Sequence, residues 1–396
     1  MNIFKRQRKT LFLAGMIFAA SIALVSPVTP QSPGPRIVRF EFAIKLPTLI
    51  DAISWFPDNK TLLVKSDGLR LVDTDARSFS KPVITATLPS WPQLFVSPDG
   101  AYLAVLRGRL KIFSTADWQT LTDWQTMPPI GTEARGRQFA LHGGLQFTSD
   151  SRFVWVACEP RAQSGETAIA IKLRVPDLQM IDTIQSNIPG ASFVHTVITP
   201  NSNDVIERAY FYTDKRDPQD ATRRWFRVFA GATNLGDKSI VMAPKDITPD
   251  VGDSFIASND AVSADHGVYL LDRKEEPSGT SNEAAEPKVF SYDTRTLHRI
   301  MEFAFKEERT TGTGRPAELS NFLLLKGTDL AISALTNPNF DGGFRIWNVK
   351  TGRLVQSLPT SGVRYLAASP DQKRIAVFFR DEIRVFSVNT ADVGKL

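Results

Sequence analysis

Residues that could carry catalysis or bind a metal are sparse in this sequence. It has four histidines, at positions 142, 195, 266 and 298, and one cysteine, Cys158. No two histidines have a metal-binding spacing, and a single cysteine forms neither a thiolate zinc site nor an internal disulfide. We therefore predict no catalytic residues, no metal and no cofactor. We interpret Cys158, at the end of an apolar run, as a small buried hydrophobic residue.

Three short motifs that suggest chemistry are better explained by local structure. Asp265 and His266 are adjacent, and adjacent residues on a strand point to opposite faces of a sheet. The stretch 312–314, Gly-Thr-Gly, lacks the strand-to-helix context of a phosphate loop. The stretch 73–75, Asp-Thr-Asp, lacks the other positions of a calcium loop, so a turn is the better interpretation.

A repeated pattern indicates how the chain folds. An apolar run leads into a turn of Pro or Ser, Asp, and Gly or Asn, and two further apolar runs follow. The copies start at residues 53, 94, 145, 197, 253, 323 and 366, with a period of about 50 residues that is typical of propeller blades. Pro and Asp favour the turn, and Gly or Asn accepts positive φ. Because one such unit cannot bury both faces of its sheet alone, the units must stack.

The most specific copy is FRIWNVKTGRLVQSLP, residues 344–359. It is similar to the third strand, Thr-Gly turn and fourth strand of a WD repeat, with Asn348 where Asp is usual. Over nearly all of residues 36–396 the chain resembles exported bacterial members of the WD-repeat and YVTN-like (quinoprotein-like) superfamily. The resemblance implies an all-β fold, a seven-bladed β-propeller of four-stranded antiparallel blades.

The resemblance does not extend to every feature of WD repeats. No unit has a Gly-His pair near its start, and Val72, Phe113 and Phe386 stand where Trp is usual. The buried Asp-His-Ser/Thr-Trp hydrogen-bond network of that family is therefore not predicted.

The last unit is short of one strand. After Val388 only eight residues follow, whereas residues 36–43 form an apolar run before the first unit. We predict that this N-terminal strand pairs onto the last blade and removes its open edge.

The N-terminus has the features of an export signal. Four basic residues within positions 5–9 precede the apolar run 11–25. Residues 1–25 are thus predicted to be a signal peptide, with an uncleaved membrane anchor as the alternative. Residues 26–35 contain four prolines and form a linker to the domain 36–396. We expect a periplasmic or secreted protein, or one anchored to the membrane by residues 11–25.

Net charge argues against a nucleic-acid partner. The formal charge is +5, but the first 35 residues supply four of those basic charges and no acid. The remaining domain is nearly neutral, and a nucleic-acid-binding domain would be basic. Membrane contact is expected only through the N-terminal segment.

Long connections between the second and third strands give the best functional clue. They occupy residues 158–167, 213–224, 272–287 and 336–343, and all are predicted to open on one face. Loops on a rigid scaffold often bind partners, so we predict a protein or peptide partner there. Tolerated surface variation is the alternative. The candidate binding residues are Arg161, Lys215, Arg216, Arg223, Arg224, Arg273, Lys274 and Phe340.

Two functions stay open at this point. The first, which we favour, is an exported scaffold that binds a protein or ligand. The second is a propeller enzyme, lactonase-like or quinone-dependent, with its site at the axial channel. Asp51, His195 and Asp253 stand near the predicted starts of innermost strands and are the candidates for that channel.

Overall fold

A computed structural model describes residues 36–390, apart from several internal gaps. The gaps are 86–87, 91, 108, 125–144, 159–168, 186–192, 199–203, 217–223, 235–236, 247–254, 257–259, 263–267, 276–287, 294–295, 297, 305–317, 337–342, 360–362 and 364. Residues Ile37–Leu396 form one compact unit. Every helix or strand assigned within the described residues is a β-strand, and none of these residues forms a helix able to span a membrane.

The strands form seven antiparallel sheets, numbered here along the chain. The first strand, β1 (Val38–Lys45), belongs to the last sheet. Sheet 1 consists of β2 (Ala52–Trp55), β3 (Thr61–Lys65), β4 (Leu69–Asp73) and β5 (Ser78–Phe79). Sheet 2 consists of β6 (Gln93–Val96), β7 (Tyr102–Leu106), β8 (Leu110–Ser114) and β9 (Thr120–Trp124). Sheet 3 consists of β10 (Leu145–Phe147), β11 (Phe153–Cys158), β12 (Ile169–Arg174) and β13 (Met180–Gln185).

The second half of the chain repeats this arrangement. Sheet 4 consists of β14 (Phe193–Ile198), β15 (Asp204–Arg216), β16 (Arg224–Asn234) and β17 (Ile240–Asp246). Sheet 5 consists of β18 (Phe255–Ile256), β19 (Asp260–Val262), β20 (Val268–Glu275), β21 (Lys288–Asp293) and β22 (Arg299–Ala304). Sheet 6 consists of β23 (Glu318–Leu324), β24 (Leu330–Thr336), β25 (Gly343–Asn348) and β26 (Leu354–Pro359). Sheet 7 consists of β27 (Tyr365–Ala368), β28 (Arg374–Phe379), β29 (Glu382–Val388) and β1.

The prediction of an all-β fold of four-stranded antiparallel sheets is confirmed. Sheet 5 differs because β18 and β19 both pair with β20 and share the innermost position. Innermost strands contact one another between sheets 1 and 2, 2 and 3, 4 and 5, 5 and 6, and 6 and 7, and β27 of sheet 7 contacts β2 of sheet 1. Between sheets 3 and 4 the innermost strand β14 contacts β11. At that last contact the indole of Trp55 donates a hydrogen bond to the carbonyl of Ala367 at 3.0 Å.

The core lies between the sheets, as runs of adjacent apolar residues predict. Buried apolar clusters fill the spaces between sheets 1 and 2, 2 and 3, 5 and 6, 6 and 7, and 7 and 1. Phe344 of sheet 6 packs edge-on against Phe386 of sheet 7, with ring centroids 5.0 Å apart. A buried side chain of this size contributes about 1.5–3 kcal/mol, so stacking of the sheets is the main source of stability.

The N-terminal strand is tied to the last two sheets. β1 pairs with β29 from Val38 opposite Val388 to Lys45 opposite Glu382. The side-chain amide of Gln356, on β26, accepts a hydrogen bond from the backbone nitrogen of Val38 at 3.0 Å. It also donates one to the carbonyl of Val38 at 2.8 Å. One glutamine therefore completes the hydrogen bonding of β1 toward sheet 6.

The turns between first and second strands repeat one hydrogen-bond scheme. In sheet 2, Ser97 donates from Oγ to Asp99 Oδ1 at 2.6 Å and accepts from the nitrogen of Tyr102 at 2.9 Å. Asp99 Oδ1 also accepts from the nitrogen of Ala101 at 2.9 Å. The same bonds recur at residues 148–153 and 369–374. The turn chemistry expected from the sequence therefore fixes these hairpins.

Three of these turns have a residue with positive φ whose side chain reaches toward the preceding sheet. Asn59 (φ 59) accepts through Oδ1 from the nitrogen of Asp371 at 2.9 Å. Ser151 (φ 58) accepts through Oγ from the nitrogen of Asp99 at 3.1 Å. Gln372 (φ 54) accepts from the nitrogen of Lys326. Neighbouring turns are thus joined to one another through residues that tolerate, but do not prefer, this backbone conformation.

Two glycines allow the cost of backbone strain to be measured separately from the cost of a steric clash. Gly327 has φ of 71° and nothing within 4 Å of an added Cβ, whereas a Cβ on Gly68 would lie 2.5 Å from the carbonyl oxygen of Ile84. We expect Gly327→Ala to lower the free energy of unfolding by about 1–2 kcal/mol, the cost of a left-handed alanine. Gly68→Ala should cost more, because backbone must move. Urea denaturation measures both, and equal stability of Gly327→Ala and the wild type would contradict the assigned strain.

Candidate functional site

The two ends of the sheets have different chemistry. The turn face is defined here as the end with the connections between strands one and two, such as 97–101 and 369–373, and between strands three and four. The insertion face is the opposite end, where second strands join third strands and innermost strands begin. On the turn face the carboxylates and hydroxyls of the repeated turns bond to their own backbone and to neighbouring turns. These groups are committed to structure, so a partner is better sought on the insertion face.

Sheet 4 departs from the other sheets at the insertion face. β15 has 13 residues, whereas the second strands of the other sheets have between 5 and 8. β14 pairs with β15 as far as Tyr210, and β17 pairs with β16 from Phe229 onward. Among the described residues, 211–216 and 224–228 pair only with each other, and this two-stranded ribbon is termed the arm. At about 3.3 Å per residue the arm extends about 20 Å beyond the end of β14.

The register of the arm sets which residues lie opposite each other. Near its base Tyr212 lies opposite Phe226, and near its end Arg216 lies opposite Arg224. A bulge separates these pairs, because three residues of β15 oppose one of β16. The arm carries four basic residues and one acidic residue, Asp214; the basic residues are Lys215, Arg216, Arg224 and Arg227. Residues 217–223, which join its two strands in the sequence, add one basic and two acidic residues.

The structure places five of the eight predicted binding residues on strands. Lys215, Arg216 and Arg224 lie in the arm. Arg273 and Lys274 lie on β20, where Arg273 is opposite Lys288 and Lys274 is opposite Ile256. Arg161, Arg223 and Phe340 lie outside the described residues.

Two predicted loop boundaries were wrong. The loops predicted at 213–224 and 272–287 begin with strand residues, because β15 continues to Arg216 and β20 to Glu275. Residues 213–216 are all polar and show no alternation of polar and apolar residues, so the sequence does not indicate that they form a strand. The pairing instead depends on β16, a partner that follows later in the chain.

A second polar group lies on the insertion face of sheet 1. Asp51 precedes β2, and Lys65 ends β3. The Lys65 ammonium lies 3.3 Å from Asp51 Oδ2 and also donates to the carbonyl of Ser66. Lys65 is only 7% exposed, and a buried lysine requires such partners. Asp51, predicted as a channel candidate, thus compensates a buried charge; Lys65 was missed because the two residues meet only across a strand pair.

An arginine–aspartate pair closes the same hairpin. Arg70 donates from Nε and Nη2 to the two carboxylate oxygens of Asp67, at 3.0 and 2.9 Å. Arg70 Nη1 also donates to the carbonyl of Ser80 at 3.0 Å. The hydrogen bonds from Arg70 hold the pKa of Asp67 below its ordinary value. A two-point bond of this kind orients the turn between β3 and β4 and leaves little of the guanidinium for a ligand.

Tyr365 begins the innermost strand of sheet 7, next to sheet 1. Its side chain is stacked on Phe378 with ring centroids 6.5 Å apart, and the residue is 44% exposed. Burial nevertheless raises the pKa of its phenol.

Of the two remaining channel candidates, the structure describes only the backbone of His195. His195 is the third residue of β14 and lies opposite Arg208, while Asp253 lies outside the described residues. Within the described ranges no group of three or more His, Cys, Asp or Glu residues could hold a metal ion. At residues 73–75, Asp73 Oδ1 accepts the backbone nitrogens of Asp75 and Ala76 at 2.9 and 2.8 Å, the bonds of a turn.

The sequence did not predict the Asp-His-Ser/Thr-Trp hydrogen-bond network of WD repeats, but one of its contacts, between Trp and Ser, is present in sheet 6. The indole of Trp347 donates to Ser333 Oγ at 3.3 Å, and both residues are buried. This tryptophan–serine contact joins β25 to β24. It stabilises the interior of one sheet and lies away from the insertion loops.

Antiparallel four-stranded sheets with adjacent innermost strands define a protein with a β-propeller-like fold. Many solved structures are similar to it. One is a chain of the hydrazine synthase of Kuenenia stuttgartiensis, which contains a β-propeller. The similarity has a TM-score of 0.58 at 12% sequence identity and covers 87% of this chain and 96% of that chain. At this identity it shows the fold alone.

Sequence comparisons give no further assignment. No protein-family model matches this chain, and no curated protein is similar to it in sequence.

Proposed function

We propose that this chain is an exported seven-bladed β-propeller that acts as a protein-binding scaffold through its insertion face. The blade number is supported by seven sheets in the described residues and by the WD-like stretch at 344–359. Closure of the ring is supported by the contact of β27 with β2 and by the pairing of β1 with β29. Export is supported by the basic and apolar segments within residues 1–25.

The observation that carries the proposed function is the asymmetry between the two faces. Side chains of the turn face are used to hold neighbouring turns together. The insertion face instead carries the arm, whose strands exceed those of the other sheets and whose sequence has four basic residues and one acidic residue. The pairing of β15 and β16 with their neighbours β14 and β17 ends about 20 Å before the end of the arm. A display function for a partner explains this length better than stability does.

A crosslinked pull-down from the native cell envelope, analysed by mass spectrometry, tests the proposal. The full chain serves as bait beside a variant with residues 276–287 replaced by a Gly-Ser turn and a variant with the arm shortened to a tight turn after Tyr210. Arg353→Glu serves as the control, because Arg353 is exposed on the turn face of sheet 6.

We expect one or more partners that the wild type and the Arg353→Glu variant capture and that at least one insertion-face variant loses. Loss of the partner by the Arg353→Glu variant alone would place the binding site on the turn face and contradict the proposal. Capture of no partner by the wild type would contradict the scaffold function.

A further inference from the structure

We propose that the turn face of sheets 6 and 7 lies on an anionic lipid surface, in a form of the protein that keeps residues 11–25 as a membrane anchor. The residues that contact the lipid are exposed, and they are termed the basic patch: Lys326, Lys350, Arg353 and Lys373. The patch lies on the face opposite to the one proposed to bind a protein. Membrane contact, expected from the sequence only for the N-terminal segment, thus extends to the folded domain.

The charge of the turn face changes sign around the sheets. In sheets 6 and 7 the connections 325–329, 349–353 and 369–373 contain four basic and two acidic residues. The corresponding connections of sheets 1–3 contain three basic and six acidic residues. They are residues 56–60, 74–77, 97–101, 115–119, 148–152 and 175–179. The near-neutral net charge of the domain therefore conceals a local excess of positive charge on two neighbouring sheets.

The two acidic residues of the basic side are engaged within their own turns. Asp371 Oδ1 accepts hydrogen bonds from Ser369 Oγ at 2.7 Å and from the backbone nitrogen of Lys373 at 3.0 Å. Asp329 Oδ1 lies 2.9 Å from Lys350 Nζ, and both side chains of this ion pair are exposed. These acids offset two of the four basic charges, so an excess of two positive charges faces outward.

The N-terminal segment joins the domain beside the basic patch. The carbonyl of Ile37 accepts a hydrogen bond from the backbone nitrogen of Asn389 at 2.8 Å. The next residue along this strand, Val388, donates from its nitrogen to the carbonyl of Lys373 at 2.8 Å. Residues 26–35 span about 30 Å when extended, so a membrane anchor holds the patch within about that distance of the lipid.

The small size of the charge excess favours a tethered lipid surface over a free acidic partner. Each basic residue near an anionic lipid surface strengthens binding about fivefold, so two strengthen it about 30-fold. Such a gain is too small to hold a nucleic acid or an acidic protein from solution, but it adds to an anchor that is already inserted. Leu354, beside Arg353, is 43% exposed and supplies an apolar contact at the same place.

Lysine footprinting of the full chain tests the proposal. The chain is added to preformed vesicles of phosphatidylcholine, alone or mixed with phosphatidylglycerol, and treated with an amine reagent that does not cross membranes. Mass spectrometry then measures the modification of each lysine. Two exposed lysines are the references: Lys45 on the insertion face of sheet 7 and Lys238 on the turn face of sheet 4.

Two pairs of substitutions reduce the charge of the patch. They are Lys326→Glu with Lys373→Glu and the milder Lys326→Gln with Lys373→Gln. Lys45→Glu with Lys81→Glu is the control with the same charge change as the first pair, because both residues are exposed and lie away from the turn face. Circular dichroism shows whether each variant is folded.

We expect phosphatidylglycerol to lower modification of the three patch lysines at least about threefold relative to the reference lysines, and less so as salt concentration rises. Lys350 should lose this protection in the double glutamate variant, lose part of it in the glutamine variant and keep it in the control. Equal modification on both kinds of vesicle, or protection of Lys350 that the double glutamate variant retains, would overturn the proposal.

The intact mass of the protein isolated from its native cell envelope tests the anchored form. A mass that includes residues 11–25 is expected, and a mass that lacks them would overturn the anchor on which the lipid contact depends. Both results are independent of the pull-down, because partner capture is assigned to the insertion face and lipid contact to the turn face. Failure of one proposal is therefore distinguishable from failure of the other.

Discussion

Deletion of residues 36–45 is expected to abolish cooperative folding of this protein. The deletion removes β1 and with it four apolar side chains that are at most 7% exposed: Ile37, Val38, Phe42 and Ile44. At about 1.5–3 kcal/mol each, their burial is worth about 6–12 kcal/mol as an upper value. Because domains are stable by about 5–15 kcal/mol in total, little stability should remain.

The deletion also leaves β29 as an open edge that invites aggregation. Urea denaturation followed by tryptophan fluorescence, together with size-exclusion chromatography, measures both effects. Deletion of residues 26–35 is the matched control, because it removes ten residues of the proline-rich linker. A synthetic peptide of residues 36–45, added to the larger deletion, should restore part of the lost stability. If the variant that lacks residues 36–45 unfolded at the same urea midpoint as the wild type, β1 would contribute nothing essential to stability.

The fold could be predicted because its information is local and repeated. Stretches such as 97–100, Ser-Pro-Asp-Gly, specify a hairpin through their own hydrogen bonds, and the structure contains those bonds. Adjacent apolar residues on the strands indicated sheets buried on both faces, and the clusters between sheets agree. Positive φ was expected at Gly or Asn, yet Ser151 and Gln372 also adopt it. Their side chains bond to neighbouring sheets, a contact that no local preference reveals.

The candidate site could be predicted only in part, because its geometry depends on pairing across the chain. Three of the four basic residues of the arm were predicted from the sequence, but residues 213–216 and 224 were interpreted as part of a loop. Its length follows from the register of β15 with β16, which is set by contacts along both strands. Lys65 was missed for the same reason, since it meets Asp51 only after β2 and β3 pair. The sequence shows which residues are charged, but which of them lie opposite each other depends on the register of the paired strands.

Stability is expected to fall as pH decreases below about 4, because the turn carboxylates are held ionised in the folded state. Partial burial raises the pKa of Asp99, but hydrogen bonds from Ser97 and the backbone outweigh it, so the pKa lies below its ordinary value of 3.8. Asp58 and Asp371 show the same balance. At Asp150 the hydrogen bond from Thr148 is the largest influence and lowers the pKa.

The direction in which stability changes with pH depends on whether the folded or the unfolded state takes up protons first. Above about pH 5 these carboxylates are charged in both states, and their hydrogen bonds contribute fully. As pH falls through 3.8 toward the lower folded values, the unfolded chain becomes protonated before the folded one, and stability is lost. Solvent screens each exposed carboxylate to under about 1 kcal/mol, so the four turns together should account for about 2–3 kcal/mol.

A triple variant isolates the contribution of the turns from that of other acids. Asp99→Asn, Asp150→Asn and Asp371→Asn together keep the side-chain oxygens but remove their titration. We expect urea midpoints of the wild type to stay level from about pH 6 to about pH 5 and to fall steeply from there toward pH 3, and those of the variant to start lower and fall less. If the urea midpoint of the variant fell as steeply, acidic residues outside these turns would be responsible for the loss of stability at low pH. Because these carboxylates accept hydrogen bonds from hydroxyls and backbone nitrogens of their own turns, loss of their charge should weaken the hairpins between first and second strands.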